Sequence, residues 1–160
     1  MPFVPCPALH RVVFVAFKAD TCPKNELRRV RVRVLIIDDS VVMRMIVERV
    51  LRQAVVDLGE VRYASNGAEG LAALEKAVSD MPFNLVLCDM QMPVMGGLDF
   101  LLEKKLRNLV PDVPVVMISA EGSGPNVLEA IAAGARGYIS KPFTMLQMQE
   151  SVASLLQRAA

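Results

Sequence analysis

The fold of this chain is decided by one segment, Asn84-Leu-Val-Leu-Cys-Asp-Met-Gln-Met-Pro-Val-Met-Gly-Gly97. Its apolar run, residues 85–87, is typical of a parallel strand that is covered on both faces. Asp89 stands where this strand should end, and a loop with a proline and two glycines follows. In open α/β sheets, ligands bind outside the carboxyl ends of the strands. The segment therefore predicts a reactive carboxylate, Asp89, at the ligand-binding edge of a parallel sheet.

Length and charge divide the chain into a short basic arm and one domain. The chain has 160 residues, of which 53% are hydrophobic, and this is enough for the core of one domain. Residues 1–33 carry seven Lys and Arg against two acidic residues, whereas the remainder carries eleven basic and fifteen acidic residues. We expect residues 1–31 to be a basic extension that is disordered or precedes the true start of the protein. Residues 32–160 are expected to form the domain.

The cysteines and the apolar segments indicate the cellular compartment of the protein. Cys6, Cys22 and Cys88 are too few and too scattered for the disulfide framework of a secreted protein. Cys6, His10 and Cys22 match no zinc-binding spacing and lack a fourth ligand. No apolar run approaches the length of a membrane span. We therefore predict a cytoplasmic protein without membrane contact, in which Cys88 behaves as a small apolar group on a buried strand.

Apolar runs and helical periodicities alternate along the domain. Strands are predicted at Val32–Ile37, Val61–Ala64, Asn84–Cys88, Val115–Ile118 and Gly137–Ser140. Helices are predicted after the N-cap Ser40 and at Ala68–Ser79, Leu98–Asn108, Asn126–Ala133 and Thr144–Leu156. Five strands that alternate with five helices predict an α/β fold of the flavodoxin-like type, a three-layer (βα)5 sandwich. Its five-stranded parallel sheet is expected in the order 2-1-3-4-5.

The first helix is predicted to be amphipathic. Its apolar residues recur at helical spacing and are expected to face the core: Met43, Ile46, Val47, Val50, Leu51 and Ala54. Arg44, Glu48 and Arg52 lie four residues apart, which predicts a ladder of charged side chains on the solvent-exposed face of the helix.

Polar side chains follow four of the predicted strands. They are Asp38 and Asp39 after the first strand, Asp89 after the third, Ser119 after the fourth and Lys141 after the fifth. Because the carboxyl ends of parallel strands lie at one edge of the sheet, these groups are expected to meet. Three close carboxylates repel one another, and Mg²⁺, which prefers oxygen ligands, removes that repulsion. The arrangement predicts that Asp89 is a nucleophile that forms an aspartyl phosphate, with Lys141 and Ser119 contacting the phosphoryl oxygens.

Four segments resemble the motifs of the receiver domains of two-component response regulators. They are Leu35-Ile-Ile-Asp-Asp-Ser40, Leu87-Cys-Asp-Met-Gln-Met-Pro-Val-Met-Gly-Gly97, Val116-Met-Ile-Ser-Ala-Glu121 and Gly134-Ala-Arg-Gly-Tyr-Ile-Ser-Lys-Pro-Phe143. The resemblance covers residues 32–160, and the four motifs are highly specific in combination. Met43-Arg44 and Ala120-Glu121 further resemble the single-domain members of the chemotaxis type.

The resemblance implies which residues perform the chemistry. Asp89 is implied as the phosphoacceptor. Asp38, Asp39, Asp89 and the backbone carbonyl of Gln91 are implied as the groups that hold Mg²⁺. Lys141 is implied as the lysine that senses the phosphoryl group.

The resemblance also implies which residues respond to phosphorylation. Ser119 is implied as the hydroxyl switch and Tyr138 as the aromatic switch. The Lys141-Pro142 peptide bond is expected to be cis, a rare form that occurs almost only before proline. Gln91 and Glu121 are expected to tune the lifetime of the phosphoryl group.

The implied function is phosphorelay signal transduction. A histidine kinase or a histidine phosphotransfer protein donates the phosphoryl group, and the face formed by the fourth helix, fifth strand and fifth helix then changes its affinity for a downstream protein. We expect no enzyme activity beyond Mg²⁺-dependent self-phosphorylation from phosphodonors and slow autodephosphorylation. We also expect a monomer or a phosphorylation-dependent dimer that makes no direct contact with nucleic acid. The chain is not expected to be its own kinase, since His10 is its only histidine.

Three other classes of protein remain as alternatives. Phosphohydrolases with an aspartyl nucleophile carry the motif Asp-x-Asp, in which the first aspartate is the nucleophile. Here Gln91 stands in the place of the second aspartate. A flavodoxin that binds FMN needs a phosphate loop rich in Ser, Thr or Gly after the first strand, where Asp38 and Asp39 would repel a phosphate. A DNA-binding regulator needs an output domain, for which we expect no room after the fifth helix.

Overall fold

The fold is a parallel five-stranded sheet with helices on both faces. The computed structural model describes residues 31–55, 57–120 and 124–156. The strands are β1 (Val32–Ile37), β2 (Leu58–Ala64), β3 (Leu85–Asp89), β4 (Val115–Ser119) and β5 (Gly137–Ser140). The helices are α1 (Val41–Ala54), α2 (Gly67–Val78), α3 (Gly97–Leu106), α4 (Gly124–Ala133) and α5 (Met145–Leu156). The strand order β2-β1-β3-β4-β5, with parallel pairing throughout, confirms the predicted fold class.

Some of the expectations fall on residues that the structure leaves undescribed. The basic extension before residue 31, with Cys6, His10 and Cys22, lies outside the described residues, and so does Glu121. The sequence-based expectations for these residues therefore remain predictions.

Successive side chains of each strand point to opposite faces of the sheet, so the core is divided between the two faces. On β1, Leu35 and Ile37 pack into the cluster that includes α2, α3 and α4. Val34 and Ile36 point the other way and pack with α1 and α5. Both sets are buried because helices cover both faces of the sheet. The sequence of the strand is therefore an unbroken apolar run. Within the described residues, no helix is long and apolar enough to cross a membrane.

The second strand is longer than the apolar pattern predicts. It begins at Leu58, ahead of the predicted start, because Leu58 pairs with Val32 at the beginning of β1. The register shifts between Val32 and Val34, and a Cβ on Gly59 would lie 2.6 Å from the Arg31 Cβ. Pairing with the neighbouring strand therefore sets this boundary, and periodicity in the sequence does not reveal it.

Helix α1 buries a narrower face than predicted. Val47 and Leu51 are fully buried, as expected, but Ile46 is 43% exposed, so its predicted place in the core is wrong. Residues four apart stack on one helix face, and Ile46 lies about 100° around the axis from the stripe that Val47 and Leu51 form. The predicted Glu48–Arg52 pair is present on the exposed side, with 2.5 Å between Arg52 Nη2 and Glu48 Oε1.

Two backbone features near the fifth strand agree with the sequence-based expectations. The Lys141-Pro142 bond is cis. Gly134, directly after α4, has a φ of 114°, which glycine adopts readily and which ends the helix as predicted. The Ala135 N–H donates back to the Ala130 carbonyl at 2.9 Å and closes the last turn.

Candidate functional site

The carboxyl edge of the sheet gathers the polar side chains that the sequence predicts to meet. Asp38 follows β1, Asp89 and Ser119 are the last residues of β3 and β4, and Lys141 follows β5. The Lys141 Nζ donates to Asp89 Oδ1 at 2.7 Å and to Asp38 Oδ2 at 3.1 Å. The Lys141 N–H donates to the Ser119 carbonyl at 2.7 Å and ties these two strand ends together. One ammonium therefore bridges carboxylates that two adjacent strands supply.

Asp39 joins Asp38 and Asp89 in one acidic cluster. One carboxylate oxygen from each of the three residues lies within 4.8 Å of the others. Asp38 and Asp89 are buried whereas Asp39 is exposed, so the cluster opens to solvent on the Asp39 side. Three carboxylates against the single ammonium of Lys141 leave an excess of negative charge. This set of oxygen donors fits a hard divalent cation such as Mg²⁺.

The turn between β1 and α1 fixes the side chain of Asp38. Its Oδ1 accepts from the Ser40 N–H at 2.8 Å, and the Asp38 N–H donates to the Ala64 carbonyl at 3.1 Å. Ser40 caps α1 as predicted, because its hydroxyl oxygen accepts from the Met43 N–H at 3.3 Å. The Asp-Asp-Ser sequence therefore supplies the acidic groups and the helix start within one turn.

The loop after β3 folds back beneath Asp89. Asp89 pairs with Ile118 of β4, and the Gly97 N–H at the start of α3 donates to the Met90 carbonyl at 2.9 Å. A Cβ on Gly97 would lie 2.2 Å from the Asp89 carbonyl oxygen and 2.5 Å from the Met117 Cε. Only a glycine lets α3 begin this close to the strand end, so Gly97 belongs to the frame that holds Asp89.

Burial and the charge of Lys141 have opposite effects on the pKa of Asp89. Burial raises the pKa of Asp89, and the charge of Asp38 adds to this effect. The hydrogen bond and charge of Lys141 lower the pKa, as does a backbone hydrogen bond from Gln91. The net result is a raised pKa. Burial lowers the pKa of Lys141, but the hydrogen bonds and charges of Asp89 and Asp38 outweigh burial and raise it. Lys141 is therefore a firmly protonated cation beside a carboxylate that burial makes costly to ionise.

The residues implied as switches lie on the two strands beside the acidic cluster. Ser119 is buried at the end of β4 and pairs with Ser140 of β5. Tyr138 on β5 is half-buried and packs against the core on the α4 side of the sheet. Gln91 is exposed in the loop after Asp89. Ser119 therefore lies at the same edge of the sheet as Asp89, and Tyr138 lies on the strand next to it.

The position predicted for Arg44 is wrong, because this residue contacts the site. It was expected in the exposed ladder of α1, but its Nη1 donates to the Asp38 carbonyl at 2.5 Å. An arginine in the first turn of the helix after Asp38 can reach back to the backbone of Asp38. The position of Arg44 in the sequence was therefore the feature from which this contact could have been predicted. The pattern of residues four apart pointed instead to Glu48, which pairs with Arg52.

Comparisons with known proteins agree with this geometry. Residues 34–153 match the family described as the response regulator receiver domain. The chemotaxis protein CheY-3 of Vibrio cholerae serotype O1 is 36% identical over 128 residues, which are 79% of this chain and 92% of that protein.

Two solved structures extend the likeness to three dimensions. A CheY-like receiver domain protein from Methanospirillum hungatei has a TM-score of 0.66 at 30% identity, over 80% of this chain and 95% of that one. A chain of the CheX-CheY-BeF3-Mg²⁺ complex from Borrelia burgdorferi has a TM-score of 0.68 at 25% identity, over 78% of this chain and 88% of that one. The family match spans most of the chain and includes every strand end of the acidic site. This protein belongs to the response regulator receiver domain family.

Proposed function

We propose that this protein accepts a phosphoryl group on Asp89 and signals through the conformational change that follows. As a receiver domain of the CheY-like kind, the chain works in phosphorelay signal transduction, in which an aspartate is phosphorylated. The Lys141 bridge to Asp89 and Asp38 carries the assignment of Asp89. The bridge supports the proposal because it joins the buried Asp89 carboxylate, a second carboxylate and a cation in one hydrogen-bonded group, and phosphoryl transfer to an aspartate needs these groups.

Receiver domains bind Mg²⁺ in an acidic pocket. We assign the ion to Asp38, Asp39, Asp89 and the backbone carbonyl of Gln91. The proximity of the three carboxylates, whose oxygens lie within 4.8 Å of one another, supports this assignment. When bound, Mg²⁺ neutralises charge on the phosphoryl group as it is transferred.

Phosphoryl transfer forms an acyl phosphate on Asp89 and breaks the P–N bond of a phosphohistidine on the donor. An Asp89 carboxylate oxygen attacks the phosphorus, and the histidine nitrogen leaves with the electron pair of the P–N bond. Asp89 must be ionised for this attack. Burial works against the ionised form, and the Lys141 ammonium supports it. Lys141 and the Ser119 hydroxyl then bind the new phosphoryl oxygens.

The added charge biases an equilibrium between two conformations of the domain. We assign the response to Ser119 at the end of β4 and to Tyr138 on β5. Tyr138 is half-buried beside the α4 side of the core, and in the phosphorylated state it turns inward. The surface formed by α4, β5 and α5 then changes its affinity for a downstream protein.

The partners and the setting belong to the same proposal. A histidine kinase or a histidine phosphotransfer protein supplies the phosphoryl group, and a downstream protein binds the α4-β5-α5 surface. Receiver domains are in general signal transducers rather than enzymes. The only reactions we assign are self-phosphorylation from phosphodonors and slow autodephosphorylation. The protein acts in the cytoplasm as a monomer or phosphorylation-dependent dimer, with residues 32–160 as the receiver and 1–31 as a basic extension.

The proposed function is tested with acetyl phosphate as the donor and intact mass as the readout. The wild-type protein is expected to gain one phosphoryl group with Mg²⁺ present and none after EDTA, because the three carboxylates repel the donor without a cation. Asp39→Asn should need a higher Mg²⁺ concentration for the same adduct. The absence of any adduct, or rapid turnover of many phosphoesters, would contradict the proposal.

The side chain of Gln91 is expected to set how long the phosphoryl group lasts. Gln91 is exposed in the loop that follows Asp89, where its amide can orient a water that attacks the acyl phosphate. Gln91→Ala should lengthen the half-life of the phosphorylated protein several-fold, measured by intact mass after removal of the donor. Val94→Ala, an exposed apolar position in the same loop, serves as the control and should leave the half-life unchanged. An unchanged half-life in Gln91→Ala would remove this claim, and unchanged half-lives in both Gln91→Ala and Glu121→Ala would remove the tuning role expected of the two positions.

A further inference from the structure

Arg44 of α1 reaches back to the turn that carries the acidic cluster. Its Nη1 donates to the Asp38 carbonyl at 2.5 Å, and its Cζ lies 5.8 Å from the centroid of the Tyr63 ring. The Tyr63 hydroxyl donates in turn to the Glu48 carboxylate of α1. The guanidinium therefore lies between the Tyr63 ring of β2 and the Asp38 backbone carbonyl. An arginine fixed by stacking and by a charge-assisted hydrogen bond is well suited to hold a backbone group in place.

The carbonyl that Arg44 contacts belongs to the peptide that joins Asp38 to Asp39. The Asp38 side chain is fixed by other groups, namely the Ser40 N–H and the Lys141 ammonium. Asp39 is exposed, so the direction of its carboxylate depends on the orientation of that peptide. With the peptide as observed, the Asp39 carboxylate lies within 4.8 Å of the Asp38 and Asp89 oxygens.

We propose that Arg44 is a positioning residue of the metal site, which holds the Asp38–Asp39 peptide so that the Asp39 carboxylate stays in the acidic cluster. This inference rests on the magnesium site of the proposed function. Two physical effects of Arg44 on that site have opposite signs. Its positive charge disfavours a second cation nearby, whereas its hydrogen bond keeps a ligand in place. The direction of the change in Mg²⁺ affinity therefore separates positioning from simple charge.

The experiment is calorimetric titration of the full-length protein with Mg²⁺ and no phosphodonor. Arg44→Ala is expected to bind Mg²⁺ roughly tenfold more weakly, the size of effect typical for residues that orient metal ligands. Arg44→Lys should recover part of the affinity, because its ammonium can still donate to the Asp38 carbonyl. Arg52→Ala is the matched control, since Arg52 is on the same helix but pairs with Glu48, and its Mg²⁺ affinity should equal that of the wild type.

A second variant guards against a failure of Arg44→Ala to fold. Tyr63 is 47% exposed, so Tyr63→Leu should fold, remove the stacking partner of Arg44 and weaken Mg²⁺ binding by a smaller factor. Unchanged or tighter Mg²⁺ binding in Arg44→Ala would overturn the inference. If Arg44→Ala does not fold, unchanged Mg²⁺ binding in both Arg44→Lys and Tyr63→Leu would overturn it instead. If the wild-type protein binds no Mg²⁺, the proposed metal site fails and this inference with it.

Discussion

Replacing Asp89 by asparagine is expected to abolish phosphorylation completely while leaving the fold intact. The amide of asparagine is not a nucleophile at neutral pH, so no acyl phosphate forms. Asparagine has almost the shape of aspartate, and its carbonyl oxygen can accept the hydrogen bond of Lys141 at the position of Asp89 Oδ1. Intact mass after incubation with acetyl phosphate and Mg²⁺ should show only the unmodified chain.

The stability of Asp89→Asn is part of the same prediction. Burial raises the pKa of Asp89, which means that the folded state holds its carboxylate charge at a cost. The neutral amide removes that cost, and Lys141 keeps Asp38 as an ionic partner at 3.1 Å. We expect the free energy of unfolding in urea to equal or slightly exceed that of the wild type. Asp99→Asn, an exposed change in the first turn of α3, should leave phosphorylation unchanged. A phosphoryl adduct on Asp89→Asn would show that another residue is the acceptor.

Replacing Gly97 by alanine is expected to cause the largest loss of stability of any single methyl addition near the site. The new Cβ would meet the Asp89 carbonyl oxygen at 2.2 Å and the Met117 Cε at 2.5 Å, and the first contact is with backbone that cannot turn away. Either α3 moves outward or the end of β3 is displaced. We expect a loss of about 3 kcal/mol in the free energy of unfolding, at the upper end of the usual cost of overpacking.

The displaced strand end should also slow phosphorylation in Gly97→Ala, because Asp89 is the last residue of β3. Urea unfolding gives the stability, and the rate of adduct formation with acetyl phosphate gives the chemistry. Gly124→Ala is the matched control, since Gly124 also begins a helix but a Cβ there meets nothing within 4 Å. It should keep wild-type stability or gain a little from the better helix propensity of alanine. Equal stability of the two variants would contradict the proposed packing of α3 beneath Asp89.

The elements of the sheet could be predicted because both of its faces are covered. Val34 to Ile37 and Leu85 to Cys88 are buried on both sides, so each strand appears in the sequence as an unbroken apolar run. The start of β2 could not be predicted in this way. Leu58-Gly-Glu has no strand pattern of its own, and pairing with Val32 brings it into the sheet.

The polar groups at the strand ends could be placed together from the topology alone. Asp38, Asp89 and Lys141 meet because parallel strands end at one edge of the sheet, and the sequence shows which residues stand at those ends. Contacts that depend on side-chain direction could not be predicted. The spacing of Arg44 from Glu48 suggested a surface ladder, whereas the guanidinium turns to the Asp38 carbonyl instead. Helical spacing indicates which residues share a face and does not decide among partners within reach of a long side chain.

The central claim is that the acyl phosphate forms on Asp89, and chemical mapping of the modified residue tests it most directly. The full-length protein is phosphorylated with acetyl phosphate and Mg²⁺, and borohydride then reduces the acyl phosphate to an alcohol, which converts the modified aspartate to homoserine. Fragmentation of the peptide that contains β3 should place homoserine at position 89 and nowhere else. Homoserine at Asp38 or Asp39, or a stable phosphate ester on Ser119, would contradict the account.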